Sequence, residues 1–533
     1  MASNESNKLV RGALLLTLAG FVSKLLSAGY RIPLQNLTGD LGFYIYQQIY
    51  PFLGMVLVLS LYGFPSAISK IAVDLKSEGR QLSFTRFFVP VFTILLTING
   101  AIFLFLLSTA GEIANWMGNP KLQQALQFAA FAFLLIPFSS LLRGAFQGSY
   151  QMKPTALSQI GEQFIRVFII ILAAVLIVIN GRDIYEIGQA AAIASIAGGI
   201  MAIIVLGMFL FKQRLIQPDL FTIPWGYYLK TLLIFGIIAA LNHMVLIVIQ
   251  FADAFTLVPG LKDFGISQIE AMELKGVFDR GQPLIQLGTV IGSSFALALI
   301  PSISKQKLQS NPQQSYHYIR SGLIFSFYLA VGATVGLLVI FPEVNTVLFE
   351  NDLGTTSLRI LSIAVFLCSL AITASSILQG LGYIKRTAAF ILIAFFIKWT
   401  LNQLFVPLWS ITGSAIATVI SLLVLCGLVI IELRKKLPDL NFWQTINWHA
   451  LLIASCVMVV YLYLIHYVFV FFDINSRLGL LAYVIGVAVT GAVVYMVLLV
   501  KKRAFSEEEL MMLPFSSFFI WLHRGRNSLE SKN

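Results

Sequence analysis

A chain of 533 residues that is 58% hydrophobic and only 11% charged, with a mean hydropathy of +0.86, is not a soluble globular protein, in which about 25% of residues carry charge. The net charge of +12 would suit a nucleic-acid binder, but the cations gather between apolar runs as in an oriented polytopic membrane protein, which excludes nucleic acid as a partner. Cys368, Cys426 and Cys456 all fall inside apolar runs and read as small buried hydrophobes, silent about redox compartment.

In chain order, fourteen apolar runs reach the roughly 20 residues that a bilayer-crossing helix needs. They cover 9–31, 42–68, 87–110, 122–147, 154–180, 184–211, 227–253, 270–300, 317–341, 356–380, 387–409, 411–433, 449–472 and 478–500. The expected fold is therefore all-α and polytopic, with fourteen transmembrane helices and none of the alternation of a β-barrel. The N-terminal MASNESNK is short and polar, and no cleavable signal peptide is expected. With the N-terminus inside, the internal segments collect most of the cations, among them Lys76, Arg80, Lys212, Arg214, Arg434, Lys435, Lys436 and the tail residues Lys501, Lys502, Arg503, Arg524, Arg526 and Lys532. The external loops hold only Lys121, Arg182, Lys262 and Arg477. This bias places both termini in the cytoplasm.

The chain repeats itself. FQGSYQMKPTA at 146–156 matches LQGLGYIKRTA at 378–388, with Gln147, Gly148, Lys153, Thr155 and Ala156 identical to Gln379, Gly380, Lys385, Thr387 and Ala388. FPSAISK at 64–70 resembles IPSISK at 300–305, and Pro51 corresponds to Pro283 at the same spacing. The first twelve runs thus form two homologous six-helix halves in parallel orientation, as in transporters that alternate access around a site between repeats. Four segments are expected: an N-terminal six-helix lobe (1–215), a C-terminal six-helix lobe (216–440), helices 13 and 14 (441–505) and a cytoplasmic tail (506–533).

Within the spans, charges are few and informative. A cation at bilayer depth costs about 3 kcal/mol or more unless it faces protein or a wet cavity. In FVSKLLSAGYR, Lys24 lies inside the first run with no acid at i±3 or i±4, and Arg31 follows one heptad later, roughly 20° round the same face. Arg166 and Lys398 sit near the centres of helices 5 and 11 at equivalent positions of the two halves. Arg280 lies in VFDRGQP of helix 8. Against these five cations stand two deep acids, Glu162 and Asp279, so the interior is expected to be net positive and to suit an anion such as a diphosphate.

Structural readings stand beside the functional ones. Glu162–Arg166 has the i,i+4 spacing of an intrahelical ion pair, and so has Lys275–Asp279, which would leave Arg280 free. Arg31 could snorkel to the outer headgroups, and Lys398 could pair with another helix. Arg143 is placed close to the inner surface, as a gate or a lipid-facing anchor. Glu162, Asp279 and His243 are the candidates for coupling to a monovalent ion or proton, His243 more simply as a packing residue beside Asn242. His317, His449, His466 and His523 lack metal-ligand spacing, and no metal or cofactor is expected. No phosphate-binding loop, nucleophile elbow or paired-carboxylate constellation is present, so the chain is expected not to be an enzyme and to have no catalytic residues.

Fourteen helices in a 6+6+2 plan, a basic helix 1 and the FPSAISK and FQG repeat motifs resemble the multidrug/oligosaccharidyl-lipid/polysaccharide exporter superfamily. Within it, FVSKLLSAGYRIPLQNLTGDLGFYIYQQIYPFLG and VFDRGQPLIQLG resemble the Gram-positive branch of MurJ-type lipid II flippases, which includes stage V sporulation B relatives. The resemblance implies a V-shaped pair of lobes around a cationic cavity, with helices 13 and 14 forming a groove for a polyprenyl tail. It also implies diphosphate-binding cations in helices 1 and 8, onto which Lys24, Arg31 and Arg280 fall. The family's helix 2 arginine has no counterpart, because 44–65 contains no cation. The implied activity is flipping of undecaprenyl-diphosphate-linked peptidoglycan precursor across a bacterial plasma membrane, in peptidoglycan and cell-wall biogenesis. Its partners would be lipid II, membrane lipids and a monovalent ion or proton, for a monomer working beside cell-wall synthesis machinery. A flippase for another lipid-linked saccharide, a multidrug/cation antiporter and a non-transporting scaffold are the alternatives.

Overall fold

The computed structural model describes residues 2–212, 215–299, 305–470, 476–513 and 516–524, and among these every regular element is helical. Repeat-motif residues 300–304, with Pro301, lie outside the described residues, as do Arg214, Arg526 and Lys532. Apolar sequence leaves the backbone no other solution in hydrocarbon, where each N–H and C=O must be satisfied within its own segment.

The helices are α1 (Ala2–Gly29), α2 (Arg31–Val58), α3 (Phe64–Ser77), α4 (Val89–Trp116), α5 (Gln123–Phe131), α6 (Ile136–Gln147), α7 (Met152–Ile179) and α8 (Glu186–Lys212). There follow α9 (Trp225–Lys230), α10 (Ile237–His243), α11 (Val245–Asp263), α12 (Gln268–Asp279), α13 (Gly281–Leu299), α14 (Lys305–Ser310), α15 (Pro312–Phe349), α16 (Thr355–Ser362) and α17 (Ala364–Gly380). The chain ends in α18 (Ile384–Lys436), α19 (Phe442–Thr445), α20 (Trp448–Val470), α21 (Arg477–Lys501), α22 (Glu507–Met511) and α23 (Ser516–Arg524).

By length and composition, 12 runs among the described residues are long and apolar enough to cross a membrane. The expected fourteen differ from this because helix boundaries are not where the sequence divides. The runs expected at 9–31 and 42–68 belong to one helical stretch, Leu15–Ser77, whose irregularity is Gly39 (φ 66°, ψ −174°). Those expected at 387–409 and 411–433 are both inside α18, broken at Trp409 and Ser410. The run expected at 227–253 is instead divided at Met244, between α10 and α11, and that expected at 270–300 is divided at Arg280, between α12 and α13, and gives no span among the described residues.

The chain forms two compact units, residues 1–287 with 382–425, and residues 288–381 with 426–533. In the first, α7 packs on α1 and α8, α2 on α12, and α3 on α6. The α3–α6 contact is set by Gly144 of α6 and by Gly148, one turn on at its C-cap. A Cβ on Gly144 would stand 2.4 Å from Ile68 Cβ, and one on Gly148 would stand 2.6 Å from Ala72 Cβ. The two repeat motifs FPSAISK and FQG are therefore packing partners in the first half. In the second unit, α15 packs on α17, α20 and α21, and α20 packs on α21. There the Tyr495 hydroxyl donates to the Tyr328 carbonyl at 2.9 Å, and Phe325 stacks on Phe505. Cys368 and Cys426 are buried as expected, whereas Cys456 is exposed.

Candidate functional site: a cationic interior in the first unit

Four carboxylates organise the interior of the first unit. Asp40 follows the break at Gly39, and α12 reaches it because residue 276 is glycine: a Cβ there would lie 2.1 Å from the Asp40 carbonyl oxygen. Arg280 forks onto this carboxylate, Nε donating to Oδ1 at 2.8 Å and Nη2 to Oδ2, and Gln35 Nε2 donates to Oδ1 at 3.0 Å. One turn back, Lys275 pairs with Asp279 and lies 5.9 Å from the Tyr44 ring. Lys398 is wholly buried. Its Nζ lies 2.8 Å from Asp253 Oδ1, 2.9 Å from the Ser414 carbonyl oxygen, 2.8 Å from Ser414 Oγ and 2.7 Å from Thr418 Oγ1, four acceptors that share its three N–H groups. Asn402 donates to the same Asp253 oxygen at 2.8 Å.

The fourth carboxylate, Glu162, holds two arginines. Arg166 Nη2 donates to Oε1 at 2.9 Å and Arg143 Nη2 to Oε2 at 2.7 Å. Arg143 is fully buried and also bonds Ser158 Oγ at 3.1 Å and the Ser60 carbonyl at 3.2 Å. Gly198 of α8 allows the approach, since a Cβ there would lie 2.7 Å from the Glu162 carbonyl.

Two cations stand outside these pairs. Arg31 has no exposed surface and no carboxylate partner among the described residues, and the Tyr46 hydroxyl is the acceptor beside its guanidinium. Its contacts are aromatic: the guanidinium carbon is 4.0 Å from the Tyr50 ring centre, beside Tyr30 and Tyr46, whose hydroxyls bond each other. Lys24 makes no ion pair or hydrogen bond among the described residues. Its side chain is exposed. His243, also uncovered, lies within reach of its charge and stacks on Tyr62 at 4.2 Å between ring centres.

Several expectations change. Arg280 is not free, because Asp40, a residue distant in sequence, takes its fork. The deep acids number four rather than two, with Asp40 and Asp253 added. Arg143 is no surface anchor: Glu162 and two serines hold it in the interior. Arg166 and Lys398 are both ion-paired, but from different directions. Position 394, equivalent to Glu162, is Ala394, so Lys398 turns to Asp253 of α11. Arg31 does not snorkel; it is buried. Seven cations nonetheless face four carboxylates, and the surplus resides in Lys24, Arg31 and the doubly shared Glu162. A buried guanidinium offers five N–H donors in a plane, a complement for phosphate oxygens.

Residues 9–307 match the family model described as "Polysaccharide biosynthesis protein". This chain belongs to that family. It is 39% identical to the uncharacterized membrane protein YabM of Bacillus subtilis (strain 168), over 95% of each chain. It is 25% identical to lipid II flippase MurJ of the same organism, covering 92% of this chain and 94% of that one. A solved structure of lipid II flippase MurJ in an inward closed conformation superposes with a TM-score of 0.65 at 15% identity, over 90% of this chain and 98% of that one. The chain thus has a MurJ-like transporter fold and is a multi-pass membrane protein.

Proposed function

We propose that this protein flips undecaprenyl-diphosphate-linked peptidoglycan precursor, lipid II, from the inner to the outer leaflet of a bacterial plasma membrane, with both termini in the cytoplasm. The reading is supported by the likeness to MurJ and rests above all on Arg31, a buried guanidinium with no carboxylate partner among the described residues. A protein interior retains such a group at a penalty of several kcal/mol unless an anion completes it. Lys24 and Arg31 bind the diphosphate, and Arg280, Arg166 and Lys398 shape the surrounding potential through their carboxylate partners. The six-helix repeats of 1–215 and 216–440 alternate access, and 441–505 accommodates the polyprenyl tail. The transmembrane potential supplies a drive of about 2.3 kcal/mol per charge per 100 mV on an anionic headgroup.

A flippase for another lipid-linked saccharide is the second reading, favoured by the family description. An antiporter coupled through a free carboxylate is less well supported, because each of the four interior acids already holds a lysine or arginine. Native mass spectrometry of the detergent-purified protein with lipid II and with other undecaprenyl-linked saccharides separates these readings. Lipid II is expected to bind, and Arg31→Gln to weaken it roughly 10- to 100-fold, the loss of one charge-assisted hydrogen-bonding group. Equal retention of all lipids, or undiminished binding by the variant, would overturn the assignment.

A further inference from the structure

The end of the second unit carries a feature that transport does not use. After α21 stops at Lys501, the exposed residues Lys501, Lys502 and Arg503 lead into α22, which a reciprocal Ser506–Glu509 capping box starts. Next comes α23, SSFFIWLHR, which packs on α22 and on α21. No residue of α23 is buried. Phe518 is 52% exposed and Trp521 55% exposed, one turn apart on the same face with stacked rings, and Met511 of α22 is 59% exposed. Arg524 clamps Glu507, Nε donating to Oε1 at 3.1 Å and Nη2 to Oε2 at 2.7 Å, and this holds the Glu507 carboxyl below its usual range. The clamp neutralises an acid of the tail and sets α23 against α22. Beyond it the sequence adds Arg526, Glu530 and Lys532.

We propose that α23 is an interfacial anchor that lies on the bilayer at the Lys501 end of α21 and recognises anionic phospholipid. Its occupant follows from its position. A helix packed on the end of a membrane span stands at headgroup level, where a Trp and Phe side chain enter the acyl boundary while flanking cations meet phosphate. From 501 to 533 the six cations Lys501, Lys502, Arg503, Arg524, Arg526 and Lys532 outnumber the four acids Glu507, Glu508, Glu509 and Glu530, and cations flank the aromatic pair on both sides, an excess that attracts an anionic leaflet at about 1 kcal/mol per cation near the surface. The other exposed aromatic and aliphatic side chains of the spans need only acyl chains; α23 joins an apolar face to a tail with an excess of cations.

Hydrogen exchange of the full chain in nanodiscs tests this, with α20 and α21 amides as the internal standard for an intact fold. In discs of phosphatidylcholine containing phosphatidylglycerol, α23 amides are expected to exchange about fivefold more slowly or better than in phosphatidylcholine alone, the equivalent of one engaged cation. Phe518→Ser with Trp521→Ser should abolish that protection. Lys501→Gln with Lys502→Gln should remove the phosphatidylglycerol dependence while α23 stays folded. Exchange of α23 that is equal in the two lipids, or protection that survives the aromatic substitutions with α20 and α21 intact, would overturn the proposal.

Discussion

Glu162 shows how one residue changes the meaning of its neighbours. The sequence spacing exposes its pair with Arg166, because i,i+4 residues meet on a helix. It does not expose Arg143, which arrives from α6, nor the Asp40–Arg280 pair, separated by 240 residues, nor Asp253 beneath Lys398. Interior ion pairs between distant helices leave no periodic trace, so each cation reads as free until the packing is seen. The consequence is testable by thermal unfolding in detergent. Arg166→Gln leaves Glu162 paired with Arg143 and is expected to lower stability by about 1.5–3 kcal/mol, the scale of one charged hydrogen bond. Glu162→Gln strands two buried guanidinium groups and is expected to cost about 3–5 kcal/mol. The Glu162→Gln, Arg166→Gln double variant should not recover, since Arg143 remains without its carboxylate; full recovery would contradict the shared clamp.

Elements were legible wherever hydropathy alone decides them, which is why the apolar runs recur as helices such as α4, α7, α8 and α21. Their breaks were less so. Gly39 adopts a positive φ that side chains disfavour, yet a single glycine in an apolar run carries no mark of that duty. Ser410 does the same without being glycine. The FQG motif was visible as a repeat but not as a contact, because its role lies in the missing side chain of Gly148, with that of Gly144 one turn before it, rather than in any group they present. Gly148→Leu should force α3 and α6 apart. Overpacking of a close contact costs about 1–3 kcal/mol, so the variant should lose thermal stability, while Gly100→Leu, with open space beside it, should not. Equal effects of the two substitutions would remove the close approach from the account.

At the scale of the whole molecule, the fold class and membrane character were readable, and the charge bias still directs the orientation we propose. Cysteines introduced near Lys76, Lys212 or Lys435 should be protected from an impermeant reagent outside the cell, and cysteines near Asn119 or Asp183 should react; labelling at Lys435 from outside would reverse that orientation. The central claim is that a surplus of interior cations, led by Lys24 and Arg31, serves to carry a diphosphate-linked lipid across the bilayer. Its most direct measurement is translocation of labelled lipid II in liposomes containing the purified protein. The account predicts protein-dependent flipping that Lys24→Ala or Arg31→Gln abolishes, that Lys24→Arg retains, and that a folded Gly100→Ala control leaves unchanged. Flipping at wild-type rate by both Lys24→Ala and Arg31→Gln, or none by the intact wild-type protein, would contradict it.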